Sequence, residues 1–181
     1  MTLPHPIIQY VCSYISMKIH FWSIGKAHED YVNAGINLFT KRITHYYPVE
    51  WKIIPSPKNT ASLSPPHLKK EEGTAIIHLL TPDDYLVLLD EQGKQYSSEQ
   101  LAAFIQSKAD NATRNLVFLI GGAYGVSDAV KKRAGTTWSL SNLVFHINWC
   151  DLFLQNRFTA PAPYKEMRNI TTVSSTYPKA S

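Results

Sequence analysis

The sequence predicts an α/β fold with a mostly parallel sheet and helices on both faces. Two runs, Tyr85 to Leu89 and Leu116 to Ile120, are apolar without alternation, which is typical of central strands buried on both faces. Segments with apolar residues at helical spacing separate these runs from further β-rich stretches. Because strands that alternate with helices form layered, parallel sheets, we expect one α/β domain.

The first half of the chain predicts two strands and two helices. Met17 to Ile24 and Val49 to Ile54 are β-rich and end at Gly or Pro, which indicates strands. Between them, His28 to Tyr46 carries apolar residues at helical spacing. Ser56 to His67 is rich in Pro, Ser, Asn and Thr, which favours a loop. A second helix is predicted over 69–80.

The second half continues the alternation. A helix over 99–107 follows Ser97 and Ser98, either of which can cap its first turn. A short helix is predicted over 126–133 and a last strand over 137–140. We find no internal repeat.

Composition limits the class of protein. The chain has 181 residues, 44% of them hydrophobic, and a formal charge of +4, which suits an RNA partner and equally suits many small enzymes. Two cysteines are too few for a disulfide framework or a four-ligand zinc site, and the seven histidines lack metal-ligand spacing. We therefore expect no metal. The first 16 residues lack the features of a secretory signal and are too short to span a bilayer, so we expect a cytoplasmic protein.

Three candidate ligand-binding segments follow predicted strands, at 89–94, 121–125 and 139–143. In parallel α/β sheets ligands bind beyond the carboxyl ends of the strands. The segment G-G-A-Y-G at 121–125 lacks the glycine fingerprint of a dinucleotide fold and the ending of a phosphate loop, so a plain tight turn is an equal alternative. Asp90 and Glu91 are either a general base pair or a loop cap.

A basic run, Lys131, Lys132 and Arg133, ends the last predicted helix. A solvated helix end is the simplest interpretation, and contact with RNA is the alternative. No residue is assigned as the general base.

Six motifs occur in order between Met17 and Phe145. They are M-K-I-x-x-x-x-I-G-K at 17–26, E-G-x-x-I-I-x-x-L at 72–80, L-L-D-E-x-G-K at 88–94, S-S-E near Ser97, F-L-I-G-G-A-Y-G at 118–125 and S-L-S at 139–141. Together these motifs resemble the RlmH family of SPOUT methyltransferases.

The resemblance implies a trefoil-knot fold, an exception to the rule that chains do not thread, and a homodimer. It also implies S-adenosyl-L-methionine (SAM) as methyl donor and, as substrate, N3 of a pseudouridine in 23S rRNA of the large subunit or the 70S ribosome. By the same resemblance the cofactor-binding residues are Leu89, Gly121, Leu140, Ser141, Asn142, Leu143, Val144 and Phe145.

The motifs stop after Phe145, where the family continues with a helix and ends near Y-H-H. Pro161 and Pro163 break any helix in this chain. Codons for His146 onward, read two bases later, can encode H-Q-L-V-R-F-I-F-A-E-Q-V-Y-R-A and later Y-H-H, with a stop codon at the junction of Val173 and Ser174. One base lost after the Phe145 codon accounts for the break.

Three segments follow from this interpretation. Residues 1–16 are expected to be a spurious extension, 17–145 the SPOUT methyltransferase domain and 146–181 an out-of-frame tail without the knot helix. We expect the chain as written to bind SAM weakly or not at all and to be inactive. The alternative is a non-catalytic RNA- or partner-binding remnant of the fold; a Rossmann-like nucleotide-binding domain is disfavoured by the missing glycine fingerprint.

Overall fold

A computed structural model describes residues 17–25, 30–57 and 63–141. Within them five strands form one sheet in the order β2-β1-β4-β3-β5, and all neighbouring strands run parallel. The strands are β1 (Lys18–Ile24), β2 (Val49–Ile54), β3 (Asp84–Gln95), β4 (Asn115–Ile120) and β5 (Thr136–Ser139). The helices are α1 (Asp30–Ile43), α2 (Pro65–Leu79), α3 (Ser98–Asp110) and α4 (Asp128–Arg133).

The central strand β4 is buried on both faces. Leu116, Phe118 and Ile120 point into one core, which residues of α1 and α3 complete, whereas Val117 and Leu119 point into a second core with α2 and α4. Alternate side chains of a strand point to opposite faces of the sheet, so an uninterrupted apolar run fills both cores. The predicted α/β class, with a parallel sheet and helices on both faces, is confirmed.

Two predicted boundaries are wrong. Helix α2 begins at Pro65, inside the predicted loop over 56–67, with proline in its first turn. Proline is tolerated there because the first N–H groups of a helix have no intrahelical partner. Strand β3 continues to Gln95 through a register shift between Leu89 and Lys94. The segment 89–94, which was predicted to follow the strand, is therefore part of it.

Polar groups fix the amino ends of the strands. The Asp84 carboxylate accepts hydrogen bonds from Thr81 N and Asn115 Nδ2, both at 2.8 Å. Arg133 donates to the carbonyl oxygens of Thr81 and Asp84 at 2.9 Å each. These contacts tie α4 and β4 to the start of β3.

Among the described residues, none of the helices has the length and apolar character needed to cross a bilayer. The predicted extension over 1–16, the cofactor residues Asn142 to Phe145 and the predicted tail over 146–181 lie outside the described residues.

Candidate active site at the carboxyl end of the sheet

Strands β4, β3 and β5 end side by side. Leu89 of β3 pairs with Ile120 on β4 and with Trp138 on β5. Gly121 follows Ile120 directly, and Leu140 follows the end of β5. The structure therefore brings Leu89, Gly121 and Leu140 to the same end of the sheet, and their contact with a cofactor stays a prediction.

The glycine segment after β4 forms a tight turn. Gly125 N donates to Gly122 O at 2.9 Å, and Gly125 has φ of +79°, a backbone conformation that favours glycine. A Cβ on Gly125 would meet no atom within 4 Å, whereas one on Gly121 would lie 2.8 Å from Val126 Cγ1. One side of the turn thus packs against the protein, and the side at Gly125 is open to a ligand.

The end of β5 is fixed by close backbone packing. A Cβ on Gly93 would lie 2.6 Å from the carbonyl carbon of Trp138 and 2.8 Å from Ser139 N. Ser139 is buried, and its Oγ donates to Ser141 O at 2.8 Å. Gly93 therefore lies directly against the backbone of Trp138 and Ser139, and the Ser139 hydroxyl holds the carbonyl group of Ser141.

Asp90 has structural partners that favour the loop-cap interpretation. Its Oδ1 accepts from Gln92 N at 3.0 Å, and its Oδ2 lies 3.6 Å from Lys131 Nζ. The neighbouring Glu91 is exposed. Asp90 thus stabilises the turn in β3.

The basic run at the end of α4 divides into different roles. Lys131 pairs with Asp90, and Arg133 donates to carbonyl groups at the amino end of β3. Lys132 is exposed, which leaves it available to a nucleic-acid phosphate.

One buried ionisable residue next to the glycine turn, Glu72, was not among the predicted site residues. Glu72 is 6% exposed, and Ser56 Oγ donates to its Oε1 at 3.0 Å. Its other oxygen, Oε2, lies 2.8 Å from the position of a Cβ on Gly122. Burial raises the pKa of the Glu72 carboxyl above 4.5, and the hydrogen bond from Ser56 opposes this rise.

A signal for Glu72 was present in the sequence. Leu68, Glu72 and Ile76 follow one another at four-residue spacing and are all buried. Residues at this spacing share a helix face, so a carboxylate lies on the apolar face of α2. Ionisable residues seldom occupy such positions unless they are paired.

The described residues at this end of the sheet fit an organic cofactor. Leu89 and Leu140 are partly buried apolar residues beside the core, and the open turn at Gly125 offers backbone groups. No group of three His, Cys, Asp or Glu side chains within 17–25, 30–57 and 63–141 is arranged to hold a metal.

Comparison with known proteins gives the class. The family model described as "Predicted SPOUT methyltransferase" matches residues 17–156, so the match starts at Met17 and runs past Phe145. The chain belongs to the SPOUT methyltransferase family.

Its relatives share one name. A protein of Cytophaga hutchinsonii is 45% identical over 137 residues, which are 76% of this chain and 88% of that protein. A protein of Parabacteroides distasonis is 43% identical over 71% of this chain and 82% of its own length, and one of Christiangramia forsetii is 39% identical over 76% and 87%. Each is named "Ribosomal RNA large subunit methyltransferase H".

Among solved structures, the chain is similar to the SpoU methyltransferase AviRb from Streptomyces viridochromogenes, described in complex with the cofactor AdoMet. The sequence identity is 13% and the TM-score 0.41, over 87% of this chain and 59% of that chain. The chain thus spans less than two thirds of AviRb.

Proposed function

We propose that the protein is a SAM-dependent methyltransferase that acts on N3 of a pseudouridine in 23S rRNA, within the large subunit or the 70S ribosome. The observation that carries the proposal is the convergence of Leu89, Gly121 and Leu140 at one end of a parallel sheet. The shared name of relatives up to 45% identical supports the substrate class.

The described residues would hold the donor chiefly through the backbone. Leu89 and Leu140 would supply apolar surface for the donor, and main-chain groups at Gly121 and Ser141 would supply hydrogen bonds. When bound, SAM supplies an electrophilic methyl group. The protein lowers the barrier by holding donor and base in line, and the base nitrogen must lose its proton to act as nucleophile.

We further propose a division of the chain into a spurious extension over 1–16, the methyltransferase domain over 17–145 and an out-of-frame tail over 146–181. In this proposal only a protein translated in the restored frame has the RNA-contacting arginine and the terminal Tyr-His-His, and only that protein forms the homodimer. The chain as written lacks them and is inactive. Deletion of residues 1–16 should leave the melting temperature unchanged.

The test compares the 181-residue chain with a frame-restored chain, in which one base is put back after the Phe145 codon so that the reading two bases later follows. Both are incubated with labelled SAM and large subunits or 70S ribosomes that lack the modification. We expect methyl transfer from the restored chain only. No transfer from the restored chain would refute the function, and transfer from both would refute the inactivity of the tail.

The same two chains test the alternative of a binding remnant. A remnant would bind rRNA in a salt-sensitive way without binding SAM. Calorimetry with SAM and titration of an rRNA fragment at two salt concentrations distinguish it from the enzyme.

A further inference from the structure

Glu72 is a buried carboxyl group next to the glycine turn that follows β4. It lies on the inward face of α2, and its side chain is in the same layer as Ile76 and Leu68. A glutamate in such a position would be expected to have a counter-ion or several hydrogen bonds, because burying an unpaired charge is costly.

The partners of Glu72 within the described ranges do not neutralise it. Ser56 Oγ is the one side-chain donor, at 3.0 Å from Oε1. No Lys, Arg or His of residues 17–25, 30–57 and 63–141 forms an ion pair with this carboxyl group. The negative charge is therefore uncompensated within this part of the chain.

The second oxygen of the carboxyl group, Oε2, faces the glycine turn. Oε2 lies 2.8 Å from where a Cβ on Gly122 would be, and Cδ and Oε1 lie at 3.4 Å from that position. Because Gly122 has no Cβ, the carboxyl group can approach its backbone this closely. Gly122 is the second residue after β4, between Gly121, which is a predicted cofactor contact, and the open turn at Gly125.

We propose that Glu72 is a cofactor-specificity residue that recognises the positive charge on the sulfur of the methyl donor. This inference rests on the proposed function. SAM carries a sulfonium cation, whereas the product S-adenosylhomocysteine (SAH) has a neutral thioether. A carboxylate near the sulfur strengthens binding of the donor and not of the product, so methyl transfer itself weakens binding and favours product release.

The test is Glu72→Gln, which removes the charge and keeps the shape, with Glu71→Gln as the matched control. Glu71 is the preceding residue of α2 and is exposed, so the control makes the same change in net charge. Dissociation constants for SAM and SAH are measured by calorimetry on the frame-restored chain and on the 181-residue chain. The readout is the ratio of the two constants, which stays defined when both ligands bind weakly.

We expect Glu72→Gln to weaken SAM binding about tenfold and to change SAH binding by less than about twofold. Glu71→Gln should change neither. An unchanged ratio of the SAM and SAH dissociation constants in Glu72→Gln would overturn the proposal. An equal loss of affinity for both ligands would overturn it too, because Glu72 would then recognise a group that SAM and SAH share. If native protein of both forms binds neither ligand, the proposed function fails, and the inference fails with it.

A ligand series on the native protein keeps the proposal testable if Glu72→Gln does not fold. Sinefungin carries an amine-bearing carbon in place of the sulfonium and is cationic there at neutral pH. We expect native protein to bind sinefungin and SAM more tightly than SAH. SAH binding as tightly as both cationic ligands would overturn the proposal.

Discussion

Replacing Gly93 with alanine should loosen the end of β5 and weaken cofactor binding. The new Cβ would lie 2.6 Å from the carbonyl carbon and 2.7 Å from the nitrogen of Trp138, and 2.8 Å from Ser139 N. All three are backbone atoms, so a rotamer change cannot relieve the contact. The backbone of β5 must move by at least about 0.4 Å to restore tolerable distances.

The cost of that movement follows from what β5 contacts. Trp138 is 2% exposed, and its ring lies 6.0 Å from that of Phe118 and 6.3 Å from that of Tyr96. Forcing a shift in a packed core typically costs about 1–3 kcal/mol. For a chain of this length each kcal/mol lowers the melting temperature by roughly 2–4 °C. Because Leu140 and Ser141 follow the displaced segment, SAM affinity should also fall, by about tenfold.

Gly135→Ala is the matched control, since Gly135 precedes the other end of β5. Its new Cβ would meet Cζ and Cε2 of the Tyr85 ring at 2.6 and 2.8 Å, and the hydroxyl of Tyr85 donates to Gly135 O at 3.0 Å. The control should lower the melting temperature and leave SAM affinity unchanged. Thermal unfolding of the 181-residue chain and calorimetry on the frame-restored chain measure both. Native-like stability and affinity in Gly93→Ala would refute this reasoning, and equal losses of affinity in both variants would show that the effect is not local.

The remaining predictions concern charge and capping. Burial raises the pKa of the folded Glu72 carboxyl above 4.5, so the contribution of this group to stability is complete below pH 4.5 and is lost as the pH rises through the folded pKa. Glu72→Gln should remove this pH-dependent loss of stability, so the melting temperature of the variant should exceed that of the native protein increasingly from pH 4.5 to 8. Parallel curves of melting temperature against pH would contradict this prediction. Ser97→Ala removes the capping box that Ser97 and Gln100 form at the start of α3 and should cost about 1 kcal/mol in urea unfolding; a change below the error of the measurement would show that the cap is dispensable. Asp90→Asn keeps an acceptor for the turn and breaks the partly exposed ion pair with Lys131, which should cost less than about 1 kcal/mol of stability. The rate of methyl transfer by the frame-restored chain should stay within a few-fold of native. A loss of orders of magnitude would identify Asp90 as the general base.

Local pattern predicted the layers of the fold. The apolar runs that became β4 and the first part of β3 have no polar position, and only a strand covered on both faces places every such residue in a core. The helical spacing of apolar residues likewise predicted the helix that became α1, and Ile36 and Ile43 of that set are buried, whereas Tyr31 and Leu38 are exposed. These features depend on neighbours within a few residues, which is why the sequence reveals them.

What the sequence did not reveal depends on distant partners. The extension of β3 to Gln95 exists because Lys94 and Gln95 pair with Trp138 and Ser139, more than forty residues away. The start of α2 was predicted too late because proline suggests a loop, whereas Pro65 lies in the first turn of the helix, where proline is tolerated. Glu72 was part of a motif, but its role depends on its contacts with Ser56 and the glycine turn.

Helix α4 has only six residues, yet it is joined to both ends of the first part of β3. Arg133 donates to carbonyl oxygens where that strand begins, Lys131 pairs with Asp90 beyond Leu89, and Val130 is buried in the core that also contains Leu86 and Leu88. The helix therefore links the two ends of this part of the strand, and a displacement at one end would also affect the contacts at the other. The stretch from Tyr85 to Leu89 is thus bounded at both ends by contacts with a single short helix, so a shift of α4 would be felt at both ends of that stretch.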